Sequence, residues 1–337
     1  MKSELFVLTH GVEPDVIRRA VPPQCRASVE HRAAADRAAG EWLIEAPAWR
    51  LARPGRHFLP SFSWLSRAAC QLRFEIAVES AGRWSPWVGS ASIGGDDFAP
   101  PLPGTPTLSC DIDVFTSAVP AERVRVRVRG RSAGGAFETT PWTVALSVSD
   151  LAPIAQAAEG SPSRVVLDVP PRSQMVEPEP IRSHICSPTS VAMVLERWGR
   201  RVETAEFAAQ VFQRALNRYG VWPAAVLAAA HHGVAGYLLR FPDWSSAEWC
   251  LAAGLPIVAS VRYQQDELPG AAMPKTDGHL VVLTGYDGDD VLVNDPAAPT
   301  HADVPRRVRR ADLERVWLER SGVGYVFFDP AAAAPTA

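Results

Sequence analysis

Near residue 150 the hydrophobic periodicity of the chain changes, and no other feature restricts the fold as much. Before that point, short stretches alternate apolar and polar residues: "QLRFEIAVES" (71–80), "DIDVFT" (111–116), "RVRVRVRG" (123–130) and "WTVALSVSD" (142–150). Period two sends successive side chains to opposite faces, so each stretch reads as a half-buried strand. Turn-rich segments such as "AGRWSPWVG" and "IGGDDFAPPLPGTPT" separate them. Several short strands spaced in this way predict an antiparallel all-β sandwich over residues 1–150. The arginines of "RVRVRVRG" fall on one side of their strand and describe a solvated outer face, not a nucleic-acid stripe.

Residues 151–163, "LAPIAQAAEGSPS", are small and weakly polar with two prolines, and read as a linker. From 164 to 330 the periods are mixed. Val191, Val194, Leu195 and Trp198 lie at i, i+3, i+4 and i+7, which predicts a helix over 187–198 stopped by Gly199. "TAEFAAQVFQRAL", "PAAVLAAAHHG" and "SSAEWCLAAG" read as further helices, and "VAGYLLRF", "PIVASVRY", "HLVVLTGYDGDDVLVNDP" and "GYVFFDP" as strands. Helices followed by strands joined in hairpins predict an α+β domain. Residues 331–337 read as a flexible tail, and no internal repeat is present.

A chain of 337 residues is long enough for two domains with sizeable cores. The formal net charge of −3 offers no electrostatic case for nucleic acid or an anionic membrane. Lysine occurs only at Lys2 and Lys275, which reads as the codon usage of a GC-rich bacterial genome, not as a binding device. The cysteines at 25, 70, 110, 186 and 250 are odd in number and widely spread, with no C-x-x-C pair. That spacing argues against a disulfide framework and a zinc site, and no cofactor is expected. The only apolar run near the amino terminus, "LFVL", is too short for a signal-peptide core or a membrane span. The expected location is cytoplasmic, or secreted if a signal has been removed.

One cysteine stands apart. Cys186 precedes Ser187-Pro188-Thr189 and the helical run. Proline is favoured at the first helical position, which places Cys186 at or next to the N-cap. There the unpaired N–H groups and the positive end of the helix dipole favour the thiolate. A thiolate nucleophile needs a base, and the base an orienting group. Among eight histidines His279 is the best placed, at the start of "HLVVLTGY" after "TDG". The turn "DGDD" then returns "VLVNDP", which brings Asp295 within a few residues of opposite His279; Asp295 shares a strand side with Val291 and Val293, where a carboxylate needs a partner. Gln174, twelve residues before Cys186 in a loop after a strand, is a candidate oxyanion donor together with the Cys186 backbone N–H. Taken singly, each has a plainer reading: a capping cysteine, a strand-ending aspartate, a surface glutamine.

The order Gln, Cys, His, Asp is that of papain-like cysteine peptidases. The segments "Q…CSPTSVAMVLERWG", "AAHHGVAGYLLRF", "AAGLPIVASVRY", "TDGHLVVLTGYDGDDVLVNDPAAP" and "RRADLERVWLERSGVGYVFF" are similar to the family that trims double-glycine leaders in bacteriocin exporters, cysteine peptidase family thirty-nine, and to its free-standing branch. The similarity covers about 164–330. It implies a papain-like fold with Cys186 as nucleophile, His279 as general base, Asp295 as orienting acid and Gln174 as oxyanion amide. "PSFSW", "GRWSPW" and "DIDVF" are similar to the β-rich domain that often precedes such peptidases. The exporter's ATP-binding portion has no counterpart, since no G-x-x-x-x-G-K-[ST] occurs.

Three functions follow. The first is a thiol hydrolase of peptide or amide bonds, and the second an acyltransferase that hands the same acyl group to an amine or thiol. The third is a noncatalytic binding protein whose sandwich recognises a glycan or a protein and whose second domain is a relic. Other side chains carry plainer expectations. His231 and His232 are adjacent, so on a helix they diverge by about 100° and do not chelate. His184 lies in the approach loop, beside the cleft or simply in the loop, and Cys250 is a small core residue. Trp84 and Trp87 offer an aromatic platform or pack beneath a turn. "RRVRR" (306–310) is a solvated edge before the last helix.

Overall fold

A computed structural model describes residues 2–32, 36–38, 40–96, 98–132, 137, 139–150 and 163–331. The linker expected at 151–163 lies outside the described residues up to 162, and the expected tail lies outside them from 332.

The amino-terminal half is almost entirely β. Its elements are β1 (Ser3–His10), α1 (Pro14–Ala20), β2 (Arg26–His31), β3 (Asp36–Ala38), β4 (Glu41–Glu45), β5 (Trp49–Trp64), β6 (Cys70–Ser80), β7 (Arg83–Trp84), β8 (Val88–Gly89), β9 (Leu108–Asp111), β10 (Val114–Ser132) and β11 (Trp142–Ser149). The expected pair of separate sheets is instead one continuous eleven-stranded sheet, in the order β2-β1-β11-β5-β10-β4-β3, with β6 and β9 also paired to β10. The long strands β5 and β10 account for the difference, because each changes pairing partner along its length. The sheet therefore closes over its own core, in which Phe62, Trp64, Phe74, Val126, Trp142 and Leu146 meet. One pairing, β1 with β2, is parallel. The stretch "LFVL" belongs to β1, and the "DIDVFT" stretch is not one strand: Asp111 pairs with Val114 across a tight turn at Ile112-Asp113. Apolar–polar alternation continues through that turn, so periodicity alone cannot mark the reversal.

The arginines of "RVRVRVRG" share one side of β10, as expected, but each is half-buried and not solvated. Glu75, fully buried, is ion-paired with Arg73, Arg127 and Arg129, while Arg123 pairs with Glu79 at 3.0 Å. The Arg125 guanidinium lies 4.6 Å from the Trp84 ring and that of Arg127 4.1 Å from Trp87. Arginines therefore cover both tryptophans, as in a cation–π stack.

The carboxy-terminal half contains β12 (Arg164–Val166), α2 (Glu179–Arg182), α3 (Cys186–Arg197), α4 (Thr204–Val211), α5 (Trp222–His231), β13 (Ala235–Arg240), α6 (Trp244–Ala252), β14 (Ile257–Tyr263), β15 (Thr276–Asp287), β16 (Asp290–Asn294), β17 (Pro305–Arg309), α7 (Arg310–Val316) and β18 (Val323–Phe328). Its sheet runs β13-β18-β14-β15-β16-β17, with β12 paired to β15, and every pairing is antiparallel. The "RRVRR" stretch supplies the edge strand β17 and the first residue of α7. The helix expected over 204–216 is shorter, since α4 ends at Val211 and a 3-10 turn spans Arg214–Leu216.

The two halves share their packing. β13 is an edge strand whose outward N–H groups need acceptors. Serines from the first half meet them: Gly236 N–H donates to Ser63 Oγ (3.0 Å), Leu238 N–H to Ser61 Oγ (3.2 Å) and Arg240 N–H to Ser147 Oγ (3.1 Å). Those serines alternate with Phe62, Trp64 and Leu146, so period two along β5 and β11 places one half's core on one face and the other half's edge on the other. Leu5, Val7 and Ile17 join Tyr237, Trp244 and Trp317 in a second core shared by both halves. The Ser61→Ala/Ser63→Ala double variant strands two buried N–H groups, and each costs about 1–3 kcal/mol. Urea unfolding will show a lower midpoint with an unchanged slope; an unchanged midpoint would refute the capping role.

Candidate active site

α3 begins at Cys186 itself, with Ile185 as the residue before it. Pro188 is therefore the third helical residue and not the first, although Cys186 still lies next to the cap, as the sequence predicts. This offset matters chemically. Pro188 has no N–H, and Thr189 N–H already donates to Ile185 O at 2.9 Å, so among the described residues the amides at the helix start without a backbone acceptor are those of Cys186 and Ser187.

The helix is buried nearly all round, and its polar residues are each tied down. Ser187 Oγ and the Tyr325 hydroxyl on β18 are 3.2 Å apart, Thr189 Oγ1 donates to Ile185 O at 2.7 Å, and Ser190 Oγ donates to Leu280 O at 3.1 Å. The last contact docks the helix on β15. Because β16 stops at Asn294, paired with Val282, the first part of β15 has an open edge beside the start of α3. The Leu280 N–H and the Ser187 N–H there both point to the Cys186 sulfur.

His279 lies on the same stretch of β15, buried, and its Nε2 donates to Asp295 Oδ1 at 2.8 Å. That leaves Nδ1 for Cys186, whose side chain hydrogen-bonds the imidazole. Asp295 is fully occupied: Oδ1 also accepts from Ala297 N–H (3.0 Å) and Oδ2 from Ala272 N–H (2.9 Å). Burial disfavours every charge in this group, yet the mutual hydrogen bonds outweigh it. Against burial, His279 lowers the pKa of both Cys186 and Asp295, and Asp295 with Cys186 raises that of His279 to about 10. The set favours thiolate, imidazolium and carboxylate together.

A β-bulge makes this meeting possible. At the turn end of the hairpin Gly285 pairs with Leu292, but beyond the bulge Leu283 pairs with Val293 and Val282 with Asn294. The next residue, Asp295, thus falls opposite Val281, on the strand side that carries His279. Had the first register continued, Asp295 would have faced Val282 and the opposite side. The sequence signal is the glycine inside "HLVVLTGYD".

Gln174 is buried in a 3-10 turn, and its Nε2 donates to Arg182 O at 2.6 Å. Its loop is laced to the segment after Asp295: Gln174 N–H donates to Pro296 O (2.8 Å), Ser173 Oγ to Ala298 O (2.5 Å) and Ser173 N–H to His301 Nδ1 (2.9 Å). Nε2 carries a second hydrogen not used by Arg182. Sequence reasoning missed the bulge at Thr284-Gly285, the serine pins of α3 and the Ala272 amide, which lies in a loop with no pattern of its own.

Among the described residues the remaining candidates share no hydrogen bond with this cluster. His184 is exposed in the approach loop, Cys250 is fully buried, and His232 Nε2 bonds Gln210 Oε1 at 2.9 Å. Burial lowers the pKa of His231 to about 4. Among the described residues no three His, Cys, Asp or Glu side chains gather as a metal ion would require, and no helix is long and apolar enough to cross a membrane.

Residues 166–325 match the Peptidase_C39 like family. Among solved structures, a C39-like peptidase from Bacillus anthracis aligns at 19% identity over 51% of this chain and 100% of its own, with a TM-score of 0.39. A double glycine motif protease from an AMS/PCAT transporter, solved in complex with the leader peptide, aligns at 18% identity over 51% of this chain and 98% of its own, with a TM-score of 0.33. A comparison with curated protein sequences returns no match.

Proposed function

We propose that the carboxy-terminal half, a C39-like peptidase domain by its match over residues 166–325, is a thiol hydrolase that cleaves a peptide or amide bond through an acyl-enzyme on Cys186. The observation that carries this reading is the buried 2.8 Å bond from His279 to Asp295 beside a sulfur that shares a hydrogen bond with the same imidazole.

In the proposed reaction the Cys186 thiolate attacks the acyl carbonyl carbon. The oxyanion that develops is met by the Cys186 backbone N–H and the second amide hydrogen of Gln174, donors held in place before the substrate arrives. The His279 Nδ1–H passes its proton to the leaving nitrogen as the C–N bond breaks, giving a thioester and a free amine. Water then loses a proton to His279, attacks the thioester and releases the acid. Asp295 stays ionised throughout and holds the ring with Nδ1 facing the sulfur.

A peptidyl chloromethyl ketone tests the assignment. Intact-mass analysis is expected to show one adduct per chain, mapped to Cys186, together with loss of cleavage across a peptide panel. Cys186→Ala is expected to give neither adduct nor cleavage. Cleavage by Cys186→Ala at the wild-type rate would refute the proposal.

A further inference from the structure

The turn between β9 and β10 belongs to the first half but reaches the nucleophile's surroundings. Asp113 N–H donates to Asp111 O at 2.7 Å across Ile112, whose φ is 57°. A β-branched residue in the left-handed region is unfavourable and persists only where its surroundings hold it. The turn aims the Asp113 carboxylate, 8% exposed, at the second half: Oδ2 accepts from Trp222 N–H, the first amide of α5, at 2.9 Å. α5 packs on α3, and the next residue, Val114, packs on the same apolar cluster as Cys186 and Trp222.

The carboxylate also lies within electrostatic reach of the Tyr325 hydroxyl, as Cys186 does. Tyr325 is fully buried, and its hydroxyl pairs with Ser187 Oγ, the residue after the nucleophile. Burial, only partly opposed by the Trp222 amide, pushes Asp113 up to about 7. Among charged groups, Asp111 adds to this rise and Arg218 opposes it.

We infer that Asp113 is a positioning residue for the Cys186 nucleophile, acting on the start of α3 through α5 and through Tyr325 and Ser187, so that the β-rich half completes the active site. This inference rests on the thiol-hydrolase reading. It differs from the expectation of a detachable binding module, because the contribution is made inside the chain whether or not the β-rich half also binds a ligand.

The test is the second-order rate constant for alkylation of Cys186 by iodoacetamide in the full chain, alongside the thermal midpoint. Asp113→Ala and Tyr325→Phe are each expected to slow alkylation about tenfold, as a small misplacement of a reacting group does. The double variant is expected to be no slower than the slower single, since both act on one helix start. Asp113→Asn, which keeps an acceptor for Trp222 N–H, is expected to restore most of the wild-type rate. Should Asp113→Ala not fold, Asp113→Glu decides in its place, because it keeps the carboxylate but displaces it by one methylene from Trp222 N–H and is expected to slow alkylation in the same way. A lower midpoint with an unchanged rate constant, multiplying effects in the double variant, or an Asn variant as slow as Ala would each overturn the inference. Failure of the wild type to react selectively at Cys186 would instead sink the thiol-hydrolase reading itself.

Discussion

Iodoacetamide at pH 7 will label Cys186 and leave the other four cysteines untouched, and His279→Ala will slow that labelling by about ten- to a thousandfold, the span that loss of an adjacent opposite charge produces in a thiol pKa. The selectivity follows from each thiol's surroundings. Burial pushes Cys25 and Cys70 up to about 12, and it raises Cys250 well above its ordinary value. Cys110 is half-buried, but burial together with Asp113 and Asp111 keeps it protonated. At Cys186 alone do hydrogen bonds to an imidazole and two backbone N–H groups overcome burial and favour the thiolate. The sign sets two different pH profiles. Labelling needs only the thiolate, so it falls as acid protonates the sulfur, at a pH below the ordinary thiol value of 9.0, and it persists in alkali. Amide cleavage also needs the proton on His279, so it keeps the acid limb and gains an alkaline limb near pH 10. Peptide-mapping mass spectrometry of the labelled chain and a rate–pH profile check both. Uniform labelling of all five thiols, or an unchanged profile in His279→Ala, would contradict the ion-pair account.

That cluster was largely legible before any coordinates. A thiol ahead of a helix, a histidine opening a strand and an aspartate at the end of the returning strand are each visible as local patterns, and their order along the chain brings them together. The Ser-Pro-Thr signal marks the helix start but misplaces it by two residues, since Pro188 is tolerated throughout the first turn, where its missing N–H has no partner to lose. Three things were not legible. Ile112-Asp113 reverses the chain inside a stretch that still alternates, because a turn held by long-range packing leaves no mark in periodicity. The serines at 61, 63 and 147 carry no mark in the sequence that they meet the edge of β13. A polar residue facing solvent and one facing another strand's backbone are the same letter. The sheet of the first half likewise appeared as two, since sequence spacing does not say that β5 and β10 change partners midway.

Gly285→Val will abolish cleavage while leaving most of the secondary structure intact. Gly285 sits at φ +157°, and a Cβ there would lie 2.1 Å from the Val165 carbonyl oxygen of β12. Contact at that distance cannot be relieved by a side-chain rotation, because the obstacle is backbone. The strand must either release β12, which pairs at Val166 and Gly285, or lose the bulge. Loss of the bulge is the more damaging outcome for chemistry. It advances the β15–β16 register by one residue, which turns Asp295 away from His279 and removes the 2.8 Å bond that orients the ring. Without that partner the imidazole loses the stabilisation that raises its pKa, and the thiol loses its ion pair in turn. Iodoacetamide labelling of Cys186 at neutral pH is therefore expected to fall along with cleavage, although residue 285 contacts neither group. Gly285→Ala places the same Cβ against the same oxygen, so it should share the defect. A far-ultraviolet circular dichroism spectrum close to wild type, combined with loss of labelling, would mark a register defect and not global unfolding. Full labelling and cleavage in a folded Gly285→Val protein would show that the bulge is not what sets Asp295 beside His279.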